Sequence, residues 1–247
     1  MGKTSKRLVQ SLLGSKEPSD AKALPAGGPR TPAPYSGDKQ VDLVFVIDTT
    51  GSMSDKIQGL LHTCTRFVDK FASLDLNQRT AVVAFGDLTV RGDKIVATGF
   101  TDKVEVTKQS LMKIPRYSGG GNRGESSLQA LQKAMALTFR PGAVKAIVLI
   151  TDEPALENSN LKAKDVTAQL RANECLTFVI SPSIGYFKEM AARNGGKWYK
   201  VSAKTDFTDL LDMFNQVAER VSEAVDDVYR LGDGRVSQYL QLKAPDD

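Results

Sequence analysis

The stretch that most restricts the fold of this chain is residues 41–47, Val-Asp-Leu-Val-Phe-Val-Ile, which is apolar and rich in β-branched side chains. A nearly continuous apolar run of this length predicts a strand that is buried on both faces, as in a parallel sheet covered by helices. A polar turn, residues 48–54, follows it. Apolar residues then recur three or four positions apart from Ile57 to Phe71, which predicts an amphipathic helix. This strand, turn and helix form the first part of an α/β fold.

The same alternation continues to the end of the chain. Further apolar runs predict strands at residues 80–85, 94–100, 144–150, 176–180 and 198–201. Helical patterns lie at residues 107–114, 125–138, 161–172, 184–193 and 207–228. The link between the second and third strands is too short for a crossover helix, so the third strand is predicted to be an antiparallel edge. The fold class predicted is α/β, with a doubly wound, mostly parallel central sheet and helices on both faces.

Composition divides the chain into three parts. Residues 1–40 hold five of the ten prolines among Gly, Ser, Ala and Lys, and are predicted to be a disordered, basic leader. Residues 41–230 form the predicted domain, which ends in a long helix, and residues 231–247 are predicted to be a polar tail.

The net charge of +4 arises in the leader. Seven of the 33 basic and three of the 29 acidic residues lie there, which leaves 26 of each sign in the remainder. A balanced body gives no electrostatic case for nucleic acid as a partner.

Cysteine and histidine usage excludes several kinds of site. Cys64 and Cys175 do not have the spacing of metal ligands, and we expect reduced structural thiols in a reducing compartment. His62 is the only histidine, which argues against a Ser-His-Asp triad and against a His-rich zinc site. The apolar part of the leader is too short for a signal peptide or a membrane span. We therefore expect a cytoplasmic protein that does not bind membranes.

The turn after the first strand carries Asp48, Thr50 and Ser52 at alternate positions. Ligands of open α/β sheets bind at this carboxyl end of the strands. A carboxylate with two hydroxyls suits a hard divalent cation, Mg²⁺ or Mn²⁺. The alternative is an ordinary turn whose polar side chains cap the following helix.

Two further loops share this arrangement. A glycine-rich stretch, residues 119–121, leads through Glu125 into a helix, and the apolar strand 144–150 ends in Thr151-Asp152. Neither a Gly-x-Gly-x-x-Gly fingerprint after the first strand nor a Gly-Lys-Ser/Thr phosphate loop is present. With Asp48-x-Thr-Gly-Ser-Met, the three loops resemble the metal-ion-dependent adhesion site of von Willebrand factor type A domains. The likeness covers roughly residues 41 to 225, and the chain is most similar to bacterial stand-alone members.

The resemblance implies a metal site in which Thr50 and Ser52 bind the cation through their hydroxyls, while Asp48 and Asp152 hold it mainly through water. A metal held in this way remains electrophilic and accepts a carboxylate from a partner protein.

Departures from the family pattern lie in and near the glycine-rich loop. Where members often place a threonine ligand, this chain has Glu125, and Ser127 is the other residue that could complete the site. Arg123 could pair with an aspartate and replace the cation. Asp87, after the second strand, is expected behind the ligands or in an ordinary β-turn.

The function expected from this resemblance is that of a non-enzymatic, intracellular protein-interaction module within a multi-protein system. It would dock an acidic residue of a partner through a bound Mg²⁺ or Mn²⁺. Two alternatives stay open. One is a metal-dependent phosphohydrolase or phosphotransferase with Asp48 as nucleophile. The other is a metal-free scaffold of the same fold.

Overall fold

The structure, a computed structural model, describes residues 39–242 except for positions 75, 120, 122, 123, 203, 204, 206 and 233. These residues belong to one compact unit, Pro34–Asp247. Nearly all of the predicted leader, Arg123 and the last five residues of the predicted tail lie outside the described part. Within it, six strands form one sheet: β1 (Gln40–Asp48), β2 (Asn77–Phe85), β3 (Ile95–Ala97), β4 (Val144–Ile150), β5 (Cys175–Ser181) and β6 (Trp198–Lys200).

The strand order is β3-β2-β1-β4-β5-β6. Strands β2, β1, β4, β5 and β6 pair in parallel, and β3 pairs antiparallel with β2 at the edge. The predicted doubly wound α/β fold is confirmed. Register places Asp48 opposite Phe85, and Ile47 opposite Ile150, so the loops after β1, β2 and β4 leave the same edge of the sheet.

Helices cover both faces of the sheet. On β1, Leu43, Phe45 and Ile47 join one buried cluster, while Val44 and Val46 point into the other. The two-sided burial predicted for this strand is therefore present. The helices are α1 (Ser54–Ala72), preceded by a 3₁₀ turn (Gly51–Met53), α2 (Val104–Met112), α3 (Ser127–Met135), α4 (Ala163–Ala172), α5 (Gly185–Arg193), α6 (Phe207–Leu231) and α7 (Val236–Leu242). The first cluster includes residues of α1, α2, α6 and α7, and the second includes residues of α3, α4 and α5.

The C-terminal segment differs from the polar tail predicted from residue 231. Val236–Leu242 forms α7, in which Val236, Tyr239 and Leu240 are buried. These side chains are three and four positions apart, so even a short segment with polar residues between them presents an apolar face. A Cβ on Gly195 would lie 2.7 Å from Leu240 Cδ2, which shows how closely α7 packs against the loop before β6.

A charged cluster closes the other end of the sheet. Asp42, fully buried near the start of β1, accepts hydrogen bonds from Arg79 Nη2 (2.6 Å), Arg140 Nε (2.9 Å) and the Arg140 backbone N–H (2.7 Å). Burial alone would raise the pKa of Asp42, but the Arg79 and Arg140 hydrogen bonds and charges outweigh it and lower that pKa below its usual range. The cluster ties β1, β2 and the segment before β4 together.

None of the described helices combines the length and the apolar character that crossing a membrane requires.

Candidate metal centre

The turn after β1 joins two loops through side-chain hydrogen bonds. Asp48 is fully buried, and its Oδ1 accepts from the Thr50 backbone N–H (3.0 Å) and hydroxyl (2.6 Å). Its Oδ2 accepts from the Thr151 hydroxyl at 2.7 Å. Thr50 Oγ1 and Ser52 Oγ are 3.2 Å apart, and the Ser52 hydroxyl donates to Asp152 Oδ1 at 2.8 Å. The structure thus brings together the four residues that the first and third motifs contribute.

Glu125 reaches the same place from the glycine-rich loop. Its backbone N–H donates to Pro154 O (2.8 Å) and its carbonyl accepts from the Leu156 N–H (2.9 Å), which fixes it to the loop after β4. The side chain is buried, and Oε2 has no hydrogen-bond partner. Burial, followed by the negative charges of Asp48 and Asp87, raises the pKa of Glu125 to about 8. Burial likewise raises the pKa of Asp48 to about 6. Carboxylates packed so closely need a proton or a cation between them.

The glycine-rich loop packs closely over these side chains because Gly119 has no side chain. A Cβ on Gly119, whose φ is 71°, would lie 3.1 Å from Thr50 Cβ and 3.2 Å from Glu125 Oε1. The preceding residue is tied to the first turn, since the Gly51 N–H donates to Ser118 O at 3.3 Å. Ser52 is exposed and Asp152 is half-buried, so the site opens to solvent on their side.

Asp87 begins a β-turn and also lies near this group. The Val90 N–H donates to Asp87 O at 2.9 Å, which closes the turn. Asp87 is fully buried, and its Oδ1 accepts from the N–H (2.8 Å) and the hydroxyl (2.7 Å) of Thr89. Its Oδ2 has no hydrogen-bond partner, and its charge contributes to the raised pKa of Glu125. The β-turn expected for Asp87 is therefore present, and a role behind the metal ligands stays a prediction.

Sequence reasoning missed Asp93. Its Oδ2 accepts from the backbone N–H groups of Asp87 (3.1 Å) and Gly119 (3.0 Å), and its Oδ1 from that of Ser118 (3.3 Å). One carboxylate thus ties the loop after β2 to the glycine-rich loop. Nothing in Arg91-Gly92-Asp93-Lys94 distinguishes it from a solvated turn. Thr151 was visible as part of the Thr-Asp motif, although its bond to Asp48 was not foreseen.

Of the two remaining candidates near the glycine-rich loop, Ser127 is described by the structure and Arg123 is not. Ser127 is the first residue of α3, and its buried Oγ has no hydrogen-bond partner. Its neighbour Ser126 accepts the Leu88 N–H at 2.9 Å. Arg123 lies outside the described residues. The part that either plays at the site stays a prediction.

The donors fit a hard divalent cation. All are oxygens, and each hydroxyl that donates its proton to a carboxylate keeps lone pairs for a metal. The unpartnered Oε2 of Glu125 and Oδ2 of Asp87 supply the negative charge that such an ion requires. Among the described residues, no group of three or more His, Cys, Asp or Glu side chains is arranged to hold a metal by itself. A cation here would depend on the Thr50 and Ser52 hydroxyls.

Comparison with known proteins finds a match to one family model and structural similarity to proteins of known fold. The family model for the von Willebrand factor type A domain matches residues 42–216. No curated protein matches the chain. Two structures of proximal thread matrix protein 1 from the mussel byssus, one of them its crystal form 2, are similar to this chain, with 19% sequence identity and TM-scores of 0.53 and 0.56. Each match covers 74% of this chain and 46% of the mussel chain, so the chain spans less than half of that protein's length.

Proposed function

The chain belongs to the von Willebrand factor type A family, whose members are protein-interaction modules, and we propose that this one docks an acidic residue of a partner protein through a bound Mg²⁺ or Mn²⁺. Asp48, Thr50, Ser52, Glu125 and Asp152 would hold the ion. The ion would supply a positive charge at the solvent side of the site, which the chain's own oxygens orient but do not enclose.

One observation carries this proposal. The carboxylates of Asp48 and Glu125 are buried next to each other, with Glu125 Oε2 unpartnered, beside hydroxyls at the solvent-open edge of the sheet. Keeping both carboxylates charged is costly in a purely structural site, and without a cation the raised pKa of Glu125, about 8, means that this group holds a proton at neutral pH. A dication would take the place of that proton and at the same time offer a position to an outside carboxylate.

We propose that the protein has no enzymatic activity. A nucleophilic aspartate needs an oxygen that can reach a substrate, whereas Asp48 is fully buried and both of its oxygens accept hydrogen bonds from Thr50 and Thr151. Hydrolysis of p-nitrophenyl phosphate with Mg²⁺, if abolished by Asp48→Ala, would contradict this.

We also propose that the protein works in the cytoplasm, as a stand-alone component of a bacterial multi-protein system. The three loop motifs resemble members of that type. Cys64 and Cys175 are buried, free thiols, and burial raises the pKa of Cys175 to about 11, as suits inert cysteines in a reducing compartment.

Calorimetric titration of chelator-stripped protein with Mg²⁺ and Mn²⁺ tests the metal site. We expect a single-site isotherm that Asp48→Ala abolishes. Asp226→Ala, which removes an exposed carboxylate from an ion pair with Lys39, serves as the control and should bind metal like the unaltered protein. Equal heats of binding in all three proteins would count against the proposal, and so would the absence of any heat of binding in the unaltered protein.

Docking of a carboxylate is tested with glutarate as the probe. In protein loaded with Mn²⁺, glutarate should displace a metal-bound water and lower the water-proton relaxation rate. Glutaramide, the uncharged diamide with the same carbon skeleton, should have no such effect. If glutarate and glutaramide act alike, the metal does not dock carboxylates.

A further inference from the structure

Exposed apolar side chains are concentrated around β3 and α2, apart from the metal centre. Among the described residues, five large apolar side chains are exposed, and three belong to these two elements: Val96 (38%), Val106 (43%) and Met112 (58%). Single exposed apolar residues are ordinary, but a group of them beside a groove is typical of an interaction site.

A groove of about 320 Å³ lies between the two elements. It is lined by Val96 of β3 and by Thr98 just after that strand, by Val106 and Gln109 of α2, and by Val82 and Ala84 of β2. Because α2 packs over β2 and the sheet continues one strand further, apolar surface remains open beyond the helix. The groove therefore runs along the edge strand.

The outer side of β3 offers backbone groups for pairing. Lys94 O accepts from the Gly86 N–H at 3.1 Å, and the Thr98 N–H donates to Val82 O at 2.9 Å. In an antiparallel ladder, bonding alternates, so the residues between them, Ile95 and Ala97, direct their N–H and C=O groups away from β2. No strand of the described residues lies on that side. An unpaired edge of this kind accepts an added strand.

The charge around the groove defines the occupant. Residues 91–116 contain six basic and three acidic residues, a net charge of +3, whereas residues 41–247 as a whole are balanced. Lys108 bridges Asp69 of α1 (2.6 Å) as well as Glu105 (3.2 Å), and counting Asp69 with residues 91–116 gives six basic against four acidic residues, a net charge of +2. Three lysines near the groove are exposed: Lys113, which lines it, Lys94, which precedes β3, and Lys103, which precedes α2.

We propose that this groove binds an extended, acidic segment of a partner protein, which adds to the sheet as a strand beside β3 and places alternate apolar side chains against Val96 and Val106. The proposal goes beyond the metal-dependent function and does not rest on it. A second copy of the chain fits less well, because edge-to-edge pairing would bring two positively charged surfaces together.

The probe is a fluorescent nine-residue peptide in which glutamate alternates with valine, added in the presence of a chelator. We expect a saturable rise in anisotropy with the full-length protein. The same peptide with lysine in place of glutamate should bind at least about tenfold more weakly, because it meets like charge. Absence of binding by the acidic peptide, or equal binding of both, would overturn the proposal.

Two substitutions on one helix form a matched pair. Val106→Glu places a negative charge in the groove, whereas Met112→Glu makes a comparable change at an exposed α2 residue outside the groove lining. Val106→Glu should lower the affinity for the acidic peptide by about tenfold or more, whereas Met112→Glu should lower it by less than about threefold. Equal effects of the two substitutions would mean that the peptide binds through general surface charge, and would contradict binding in the groove.

Ala97→Pro tests the backbone pairing. Proline is tolerated where an edge residue directs its N–H to solvent, and it removes the donor that an added strand needs. Weaker peptide binding with an unchanged melting temperature supports strand addition. Unchanged binding contradicts strand addition. If this variant unfolds, the comparison of Val106→Glu with Met112→Glu tests the groove instead.

Two further outcomes would reassign the surface. Concentration-dependent dimerisation in sedimentation that Val106→Glu abolishes would make the groove a self-association site. Loss of peptide binding in Asp48→Ala would assign the peptide to the metal centre. We expect a monomer at the concentrations used, and Asp48→Ala should bind the peptide as well as the unaltered protein, even if the metal titration is flat.

Discussion

At the proposed metal site, Glu125 would set the balance between holding a metal and docking a partner. With the metal bound, Asp48, Glu125 and Asp152 would together carry three negative charges against the two positive charges of Mg²⁺. Each carboxylate added to the site strengthens metal binding and weakens the attraction for a further carboxylate from outside.

Glu125→Gln should therefore separate the two properties. We expect Mg²⁺ affinity to fall by about tenfold or more, since an ionic ligand is lost, while the affinity of the metal-loaded protein for glutarate rises. Calorimetry measures the first and Mn²⁺ relaxation titration the second. A parallel fall in both affinities would show that Glu125 is needed simply to assemble the site.

At the level of single residues, the sequence predicts those side chains whose positions follow from strand ends. Asp48 and Asp152 terminate apolar strands that pair with neighbours in one sheet, so their proximity follows from topology. Asp93 does not end such a strand. Its three backbone partners come from loops whose paths depend on tertiary packing, and no local pattern encodes them.

Among the elements, β1 and β2 are joined near their N-terminal ends by the buried Asp42, which accepts hydrogen bonds from Arg79. Its folded-state pKa is lowered, so the stability that it contributes is present above the unfolded-state pKa near 3.8 and is lost as pH falls through the folded-state value. The free energy of unfolding should therefore decrease below about pH 4.

Asp42→Asn should remove that part of the acid dependence and lower the free energy of unfolding at pH 7 by about 2–4 kcal/mol, because Arg79 and Arg140 lose their common partner. Asp69→Asn, at a largely exposed carboxylate paired with Lys108, should cost less than about 1 kcal/mol. Urea unfolding between pH 2 and pH 7 measures both. Equal losses in the two variants would mean that burial of Asp42 adds nothing.

Gly196 fixes the approach of the last loop to β5. A Cβ there would lie 2.0 Å from Thr177 O and 2.5 Å from Thr177 C, which are backbone atoms of a central strand. We expect Gly196→Ala to destabilise by about 2 kcal/mol or more, as overpacking against backbone does. Gly185→Ala, at the start of α5, meets nothing within 4 Å and should be neutral or slightly stabilising. Thermal melts of the pair test this, and similar melting temperatures would contradict it.

The elements themselves were predictable to differing degrees. Long apolar strands and the amphipathic α1 and α6 have periods that identify them. Strand β3 is shorter than the predicted 94–100, because regular pairing with β2 stops at Ala97 and resumes only as an isolated bridge at Thr101. Helix α7 is not predicted from the sequence, since the three side chains that it buries are separated by Ser and Gln and resemble a polar tail until a surface is present for them to cover.

For the whole molecule, the buried residues of the described part begin at Val41 and end at Leu240. We expect deletion of residues 1–38 to leave the melting temperature, the cooperativity of unfolding and the Mg²⁺ isotherm unchanged, because Lys39, which bridges Asp226 at 2.7 Å, and all of β1 are retained. Calorimetry of the truncated and full-length chains compares them. A lower melting temperature after truncation would show that the leader contributes to the fold.

The direction of β1 also determines how the domain can be tethered. The strand enters at Gln40 and delivers Asp48 to the candidate metal centre, so the two ends are about 25–30 Å apart along the strand. In a chain shortened by residues 1–38, a support or a label attached directly ahead of Lys39 would hold the molecule by the end of the sheet opposite that centre. The rim that carries Ser52 and Asp152 would then face outward, free to meet ligands in solution.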